Sequence, residues 1–276
     1  MRNSFTHNGF TLEYTRFGTA KEVAIAFHGF GREAADFKGF DAAFGGMRSV
    51  VAVNLFAHGN SRLPRFRAVT ESLTPDEWKD VFTAFLVHLG VERVVLIGYS
   101  MGGRVALCTY DWMPDRVSGV LLMAPDGMKT NRLADFSTGT WAGRSLQQSI
   151  MRWPRLLLGT ADAAHRFKLI DRKLHRFVHV HMGTEASRMQ VYSVWHIYRF
   201  FRPNRQRIAR GIQASQLPFL MLFGRADSVI PASLGQRFAS RLGNDNALVV
   251  LDSGHQLMEE ALRYLVESKR TIGWKK

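Results

Sequence analysis

The sequence predicts an α/β fold, a mostly parallel sheet with helices on both faces, broken by a helical insertion. Three observations carry that prediction. Short apolar runs alternate with helix-compatible segments along most of the chain, the rhythm that parallel strands joined by crossover helices produce. A capping box with proline at its first helical position, Thr74-Pro75-Asp76-Glu77, marks a helix start. Between about Gly127 and Gln216 the alternation stops and a strand-poor, helical pattern takes over. A chain of 276 residues with 46% apolar content has the length and core for one such domain with an insertion.

The elements follow in order. Asn8-Gly9 marks a hairpin turn between two opening strands. The first residues lack the apolar core of a signal peptide, and no apolar run reaches the ~20 residues of a membrane span. The expected location is therefore the cytosol. Val23–Phe27 reads as a strand, Pro75–Leu89 as a helix closed by Gly90, and Arg93–Ile97 as the next strand. A helix over Gly102–Trp112 and a strand over Gly119–Met123 complete the part before the insertion. After it come strand Phe219–Phe223, helix Ala232–Arg241, strand Leu248–Leu251 and helix Gln256–Lys269. The single cysteine, Cys108, excludes an internal disulfide, and its place in an apolar helix makes it a small core residue.

Gly98-Tyr99-Ser100-Met101-Gly102-Gly103 joins a strand to a helix, and the spacing G-x-S-x-G fits a turn that forces the serine into strained backbone angles between small neighbours. Ser100 is the candidate nucleophile. It needs partners, since a serine hydroxyl without a base is a weak nucleophile. His255, at the end of Asp252-Ser253-Gly254-His255 after a strand, is the candidate base, and Asp227, in Gly224-Arg225-Ala226-Asp227 after another strand, the candidate acid. Taken singly, each has an ordinary reading: a turn serine, a carboxylate capping the helix near Ile230 or pairing with Arg225, a histidine at a helix start. Asp126, after the strand that ends at Met123, competes with Asp227 for the acid role.

On these motifs the chain is identified as a member of the α/β-hydrolase superfamily, whose nucleophile, acid and base follow one another in this order. The resemblance covers most of the length and implies the α/β-hydrolase fold, with eight mostly parallel strands. His28-Gly29-Phe30-Gly31, after strand Val23–Phe27, resembles the oxyanion loop of that superfamily. By that resemblance the backbone N–H groups of Phe30 and Met101 hold the oxyanion, and His28 is structural. Asn54-Leu55-Phe56-Ala57-His58-Gly59-Asn60-Ser61 is similar to the loop after the next strand, with Asn54 standing where the superfamily usually has aspartate.

The insertion sits where similar hydrolases carry a cap, so residues 1–126 and 217–276 are read as the hydrolase core and 127–216 as a helical cap. Val191, Val194, Trp195 and Tyr198 recur at helical spacing; with Tyr99 beside the serine, Trp195 and Tyr198 are the candidate substrate-binding residues. The formal charge is +14, and residues 127–216 hold sixteen Lys or Arg against four Asp or Glu. Such a surface attracts anionic substrates or anionic lipid headgroups, while no nucleic-acid-binding motif accompanies it. His175 and His179 are spaced like two ligands on one helix face, but no adjacent carboxylate or cysteine in the sequence completes a site, so neither metal nor cofactor is expected. Arg104, one helical turn past the serine, pairs with a neighbouring acid or with a substrate carboxylate.

The expected function is a serine hydrolase cleaving an ester or related acyl bond of a small, anionic or lipid-like substrate. Two alternatives stand beside it. Gly98-Tyr99-Ser100-Met101-Gly102-Gly103-Arg104 is also similar to the corresponding run of a lyase of this fold, the menaquinone-pathway synthase that eliminates pyruvate with serine as a base. A non-catalytic, hydrolase-like binding protein with a basic cap is the other.

Overall fold

The computed structural model describes residues 2–65, 67, 71–129 and 132–268; the side chains of 132–135, 173, 174 and 177 and the expected helix end at Lys269 fall outside that description. Two compact units emerge: Met1–Arg65, Thr74–Thr130 and Phe201–Lys276 form the first, Phe66–Leu73 and Asn131–Phe200 the second.

The first unit is built on strands β1 (Arg2–His7), β2 (Phe10–Phe17), β3 (Val23–Phe27), β4 (Ser49–Val53), β5 (Val94–Tyr99), β6 (Val117–Met123), β7 (Phe219–Gly224) and β8 (Leu248–Leu251). They form one sheet in the order β1-β2-β4-β3-β5-β6-β7-β8. Asn8 and Gly9, at φ 47° and 80°, make the hairpin that pairs β1 with β2. β2 runs antiparallel to both neighbours, and every pairing from β4 to β8 is parallel. β3 lies between β4 and β5, with Ile25 in register with Val51 on one side and Leu96 on the other. There the order of connection reverses, so the loops leaving β3 and β5 lie side by side at the carboxyl ends of the strands.

Helices α1 (Pro75–Leu89) and α2 (Met101–Trp112) follow, and α1 starts and stops as its sequence signals predict. Thr74 Oγ1 accepts the Glu77 N–H, Glu77 accepts the Thr74 N–H, and Gly90 ends the helix at φ 69°. The β-strands' central residues alternate between two buried faces: Ala26, Val50, Ile97, Leu121 and Leu222 pack with Phe37, Phe40, Leu257 and Leu265 in one layer. In the other, Trp78 stacks on Phe82 and contacts Phe27, with its indole N–H donated to Thr109 at 2.9 Å.

The insertion contributes α3 (Arg132–Gly139), α4 (Trp141–Arg152), α5 (Pro154–Arg166), α6 (Arg172–Met182), α7 (Glu185–Ile197) and α8 (Arg205–Ser215). α8 belongs to the first unit rather than the second. Asp111 on α2 captures it, accepting Arg207 Nη2 at 2.8 Å and the Asn204 N–H at 3.0 Å. The first unit closes with α9 (Ala232–Leu242) and α10 (Met258–Glu267). Among the described residues no helix is long and apolar enough to cross a membrane.

Candidate active site

β5 ends at Tyr99 and α2 begins at Met101, so Ser100 alone makes the reversal, at φ 50° and ψ −116°. A non-glycine residue held there stores about 1–3 kcal/mol of backbone strain. Three hydrogen bonds hold it: Ser100 N–H to the Met123 carbonyl at 2.9 Å, and the N–H groups of Gly103 and Asp126 to the Ser100 carbonyl at 2.9 and 2.8 Å. The glycines of the motif exist for close approach. A Cβ on Gly98 would lie 2.6 Å from Gly103 Cα, one on Gly103 2.5 Å from Pro125 Cβ, and one on Gly102 would fall on the Phe27 carbonyl.

The loops after β7 and β8 are laced together by hydrogen bonds from Arg225 to Leu251 and from Ala226 to Ser253. They bring two side chains to the serine. Ser100 Oγ lies 3.1 Å from His255 Nε2, and His255 Nδ1 lies 2.8 Å from Asp227 Oδ2. The other oxygen, Asp227 Oδ1, accepts the N–H groups of Val229 and Ile230 at 2.8 and 2.9 Å. Burial alone would raise the Asp227 carboxyl, but the hydrogen bonds from His255, Ile230 and Val229 outweigh it and hold the group below its ordinary value. An ionised Asp227 accepts a hydrogen bond from His255 Nδ1, which leaves Nε2 facing the serine hydroxyl. Asp227 thus caps the segment near Ile230 and faces the histidine at once.

Asp126 does not face His255. Its Oδ1 accepts the Gly127 N–H at 2.7 Å, and its Oδ2 lies 3.4 Å from Arg104 Nε. Arg104 therefore pairs with a protein acid.

The loop after β3 runs against the serine: a Cβ on Gly29 would meet the Tyr99 ring at 3.0 Å and Ser100 Cβ at 3.3 Å. Two buried imidazoles fix this loop. His28 donates from Nδ1 to the Gly29 carbonyl at 2.7 Å and accepts the Leu55 N–H on Nε2 at 3.0 Å, while His58 Nε2 accepts the Gly31 N–H at 3.1 Å. Burial, and then the nearby His58, hold His28 at about 3, and burial also lowers His58, so both are neutral acceptors. Behind them Glu13, buried on β2, accepts Asn60 Nδ2 at 2.7 Å and Asn54 Nδ2 at 2.5 Å, and Asn54 Oδ1 accepts the Ala34 N–H. Asn54 fills its loop position by pairing with Glu13. Phe30 is half-buried in this loop. Met101 is the first residue of α2, so its N–H has no acceptor inside the helix.

The substrate candidates divide. Tyr99 is 3% exposed and donates its hydroxyl to the His255 carbonyl at 2.9 Å, so it positions the histidine loop. Tyr198 is 1% exposed and leaves no surface for a ligand, whereas Trp195 is half-buried on α7. Glu13, His58 and the Tyr99 hydroxyl are what the sequence reading misses. A carboxylate at the centre of an apolar strand, Phe10-Thr11-Leu12-Glu13-Tyr14, is the signal that points to the first of them.

Residues 24–267 match the model of the alpha/beta hydrolase family. The chain is 23% identical to the uncharacterized hydrolase YugF of Bacillus subtilis, over 93% of this chain and 92% of the relative. It is 26% identical to the dihydrolipoyllysine-residue acetyltransferase component of the acetoin cleaving system of Pseudomonas putida, over 86% of this chain, and spans 59% of that relative's length. Among solved structures it resembles a thermophilic esterase from Thermogutta terrifontis, with a TM-score of 0.67, 19% identity and 99% of each chain covered. The strained turn at Ser100, the sheet order and the family match agree, and the chain belongs to the alpha/beta hydrolase family.

Proposed function

We propose that the chain is a serine hydrolase that cleaves an ester or related acyl bond of a small substrate through Ser100, His255, Asp227 and an acyl-enzyme. The observation that carries this reading is the unbroken relay from Ser100 Oγ to His255 at 3.1 Å and from His255 to the buried carboxylate at 2.8 Å. As Oγ attacks the carbonyl carbon, His255 Nε2 takes its proton and Asp227 stabilises the imidazolium. The N–H groups of Phe30 and Met101 receive the oxyanion. His255 then protonates the leaving group, and a water deprotonated by the same nitrogen releases the acid. The likeness to an esterase makes oxygen esters the first bonds to test.

The test is labelling by a fluorophosphonate probe, with turnover of short p-nitrophenyl esters. The expected result is one adduct on Ser100, loss of label and turnover in Ser100→Ala, and an acyl-serine trapped by mass spectrometry. Turnover without an acyl-serine would favour elimination chemistry. Absence of any adduct would favour a binding protein.

A second element of the reading concerns the basic insertion. Trp153, Leu156, Phe167 and Leu169 are 61–77% exposed, and Arg152, Arg155, Arg166 and Lys168 stand exposed beside them. Aromatic and aliphatic side chains interleaved with cations suit an anionic lipid surface, where rings enter the headgroup layer and cations meet phosphate. Co-sedimentation with phosphatidylserine vesicles, weakened by salt and by Trp153→Ala with Phe167→Ala, is the expected result. Equal recovery with phosphatidylcholine vesicles would argue against it.

A further inference from the structure

We propose that the second unit binds one divalent transition-metal ion, of the zinc class, between α5 and α6 through Asp162, His175 and His179. His175 and His179, four residues apart, share one face of α6, and Asp162 comes from α5. His175 Nε2 and His179 Nε2 lie 2.7 and 2.8 Å from the same oxygen, Asp162 Oδ1, and the three ligand atoms fall within 4.8 Å of one another. No sequence motif joins these three side chains. The turn between the helices does, which is why the histidine spacing alone predicts no site.

The chemistry of the set selects the ion. Two imidazole nitrogens and one carboxylate oxygen suit Zn²⁺ and its neighbours, whereas Mg²⁺ and Ca²⁺ require shells of oxygen. A carboxylate oxygen only accepts, so both Nε2 atoms carry a proton that points at it. A metal ion takes the place of those two protons. Bonds of about 2.0–2.2 Å in a tetrahedron put ligand atoms roughly 3.4 Å apart, so each histidine nitrogen withdraws from the Asp162 oxygen by well under 1 Å. Asp162 is exposed and the histidines are half-buried, which leaves the fourth position to water. Arg166, Arg172 and Arg176 on the same helices oppose any cation, so imidazole coordination rather than field attraction must supply the affinity.

Such an ion has a structural use. Among its described residues α5 buries Ala161 alone, so burial of its own described side chains does little to hold it in place. The ring of His165, one turn after Asp162, stacks on His175 with centroids 4.5 Å apart, and keeps that imidazole turned toward α5. A metal across the same gap fixes both helices and the turn between them.

The experiment uses the full chain without an affinity tag, stripped with chelator and titrated with Co²⁺ under visible absorption, then competed with Zn²⁺. The expected result is one Co²⁺ per chain, displaced by Zn²⁺ and not by Mg²⁺, with at least ~10-fold weaker binding in Asp162→Asn, His175→Gln and His179→Gln. His7→Gln, which breaks a comparable exposed pair with Asp80, leaves binding unchanged. Circular dichroism of each variant separates a lost ligand from a lost helix. No saturable spectrum, or undiminished binding in a folded Asp162→Asn, His179→Gln double variant, overturns the proposal.

Discussion

Asp227→Asn isolates the electrostatic part of the proposed mechanism, because its effect follows from which atom faces which. Asp227 Oδ1 accepts two backbone N–H groups, from Val229 and Ile230 at 2.8 and 2.9 Å. An asparagine keeps its carbonyl oxygen there, since turning its NH2 toward two N–H donors would bury two clashes. Its NH2 then points at His255 Nδ1, which must accept instead of donate. The neutral imidazole is driven to carry its proton on Nε2, the atom 3.1 Å from Ser100 Oγ, and can no longer take the serine proton. A wrong tautomer of this kind costs about ten-thousand-fold in kcat, and at 1.36 kcal/mol per decade this is about 5 kcal/mol of barrier. The assay is kcat/KM for a p-nitrophenyl ester, with an unfolding midpoint measured alongside to exclude a misfolded variant. Asp126→Asn is the control: its carboxylate faces Arg104, and activity should stay within a few-fold of the parent. A folded Asp227→Asn enzyme working within tenfold of the parent would refute the tautomer argument.

The other predictions concern the scaffold around the relay. Ser100→Gly removes the side chain from a left-handed turn at φ 50° and should raise stability by about 1 kcal/mol in urea while abolishing turnover; an unchanged midpoint would mean the turn is not strained. Gly102→Ala presses a methyl onto the Phe27 carbonyl and should destabilise by about 3 kcal/mol, read by the same titration. Tyr99→Phe removes one of the two hydrogen bonds to the His255 carbonyl and should lower kcat by ~10-fold with KM unchanged, since one hydrogen bond is worth about 1–1.5 kcal/mol. Burial lowers both His28 and His58, so below about pH 6.5 the unfolded chain binds more protons than the fold and stability falls with pH, for His28 down to about pH 3. For His28 the slope approaches its limit of about 1.4 kcal/mol per unit near pH 5, His58 adds to it in the same direction, and His58→Gln should reduce the total. Glu13, held below its ordinary 4.5 by Asn60 and Asn54 against the opposing effect of burial, adds a further loss only below about pH 4.5, which Glu13→Gln removes.

Much of the fold was readable because its signals are local. The limits of α1 are fixed by side chains within four residues of its ends, and β3 and β8 by apolar runs that stop at polar residues. Where a distant partner intervenes, the reading slips. The last helix is expected at Gln256 yet starts at Met258, because the His255 carbonyl is engaged by the Tyr99 hydroxyl and by the Leu257 N–H, which hold those residues in the loop. The insertion is expected to end at Gln216, but α8 joins the first unit through an ion pair from Arg207 to Asp111, 96 residues apart.

The same distinction separates the parts of the candidate site. Ser100, Asp227 and His255 each follow an apolar strand, and a parallel sheet brings all its carboxyl-terminal loops to one edge, so three local signals suffice to gather three distant residues. Glu13 lies within a strand, where alternation predicts only which face a residue takes. Its carboxylate reaches Asn54 and Asn60 because β2 pairs antiparallel with β4, whose following loop folds back over it. That one reversed pairing is what anchors the 54–61 loop, and His58 of that loop in turn holds the Gly31 N–H of the loop after β3. The candidate site, legible at Ser100, Asp227 and His255, is therefore supported by residues whose places become readable only once the sheet order is known.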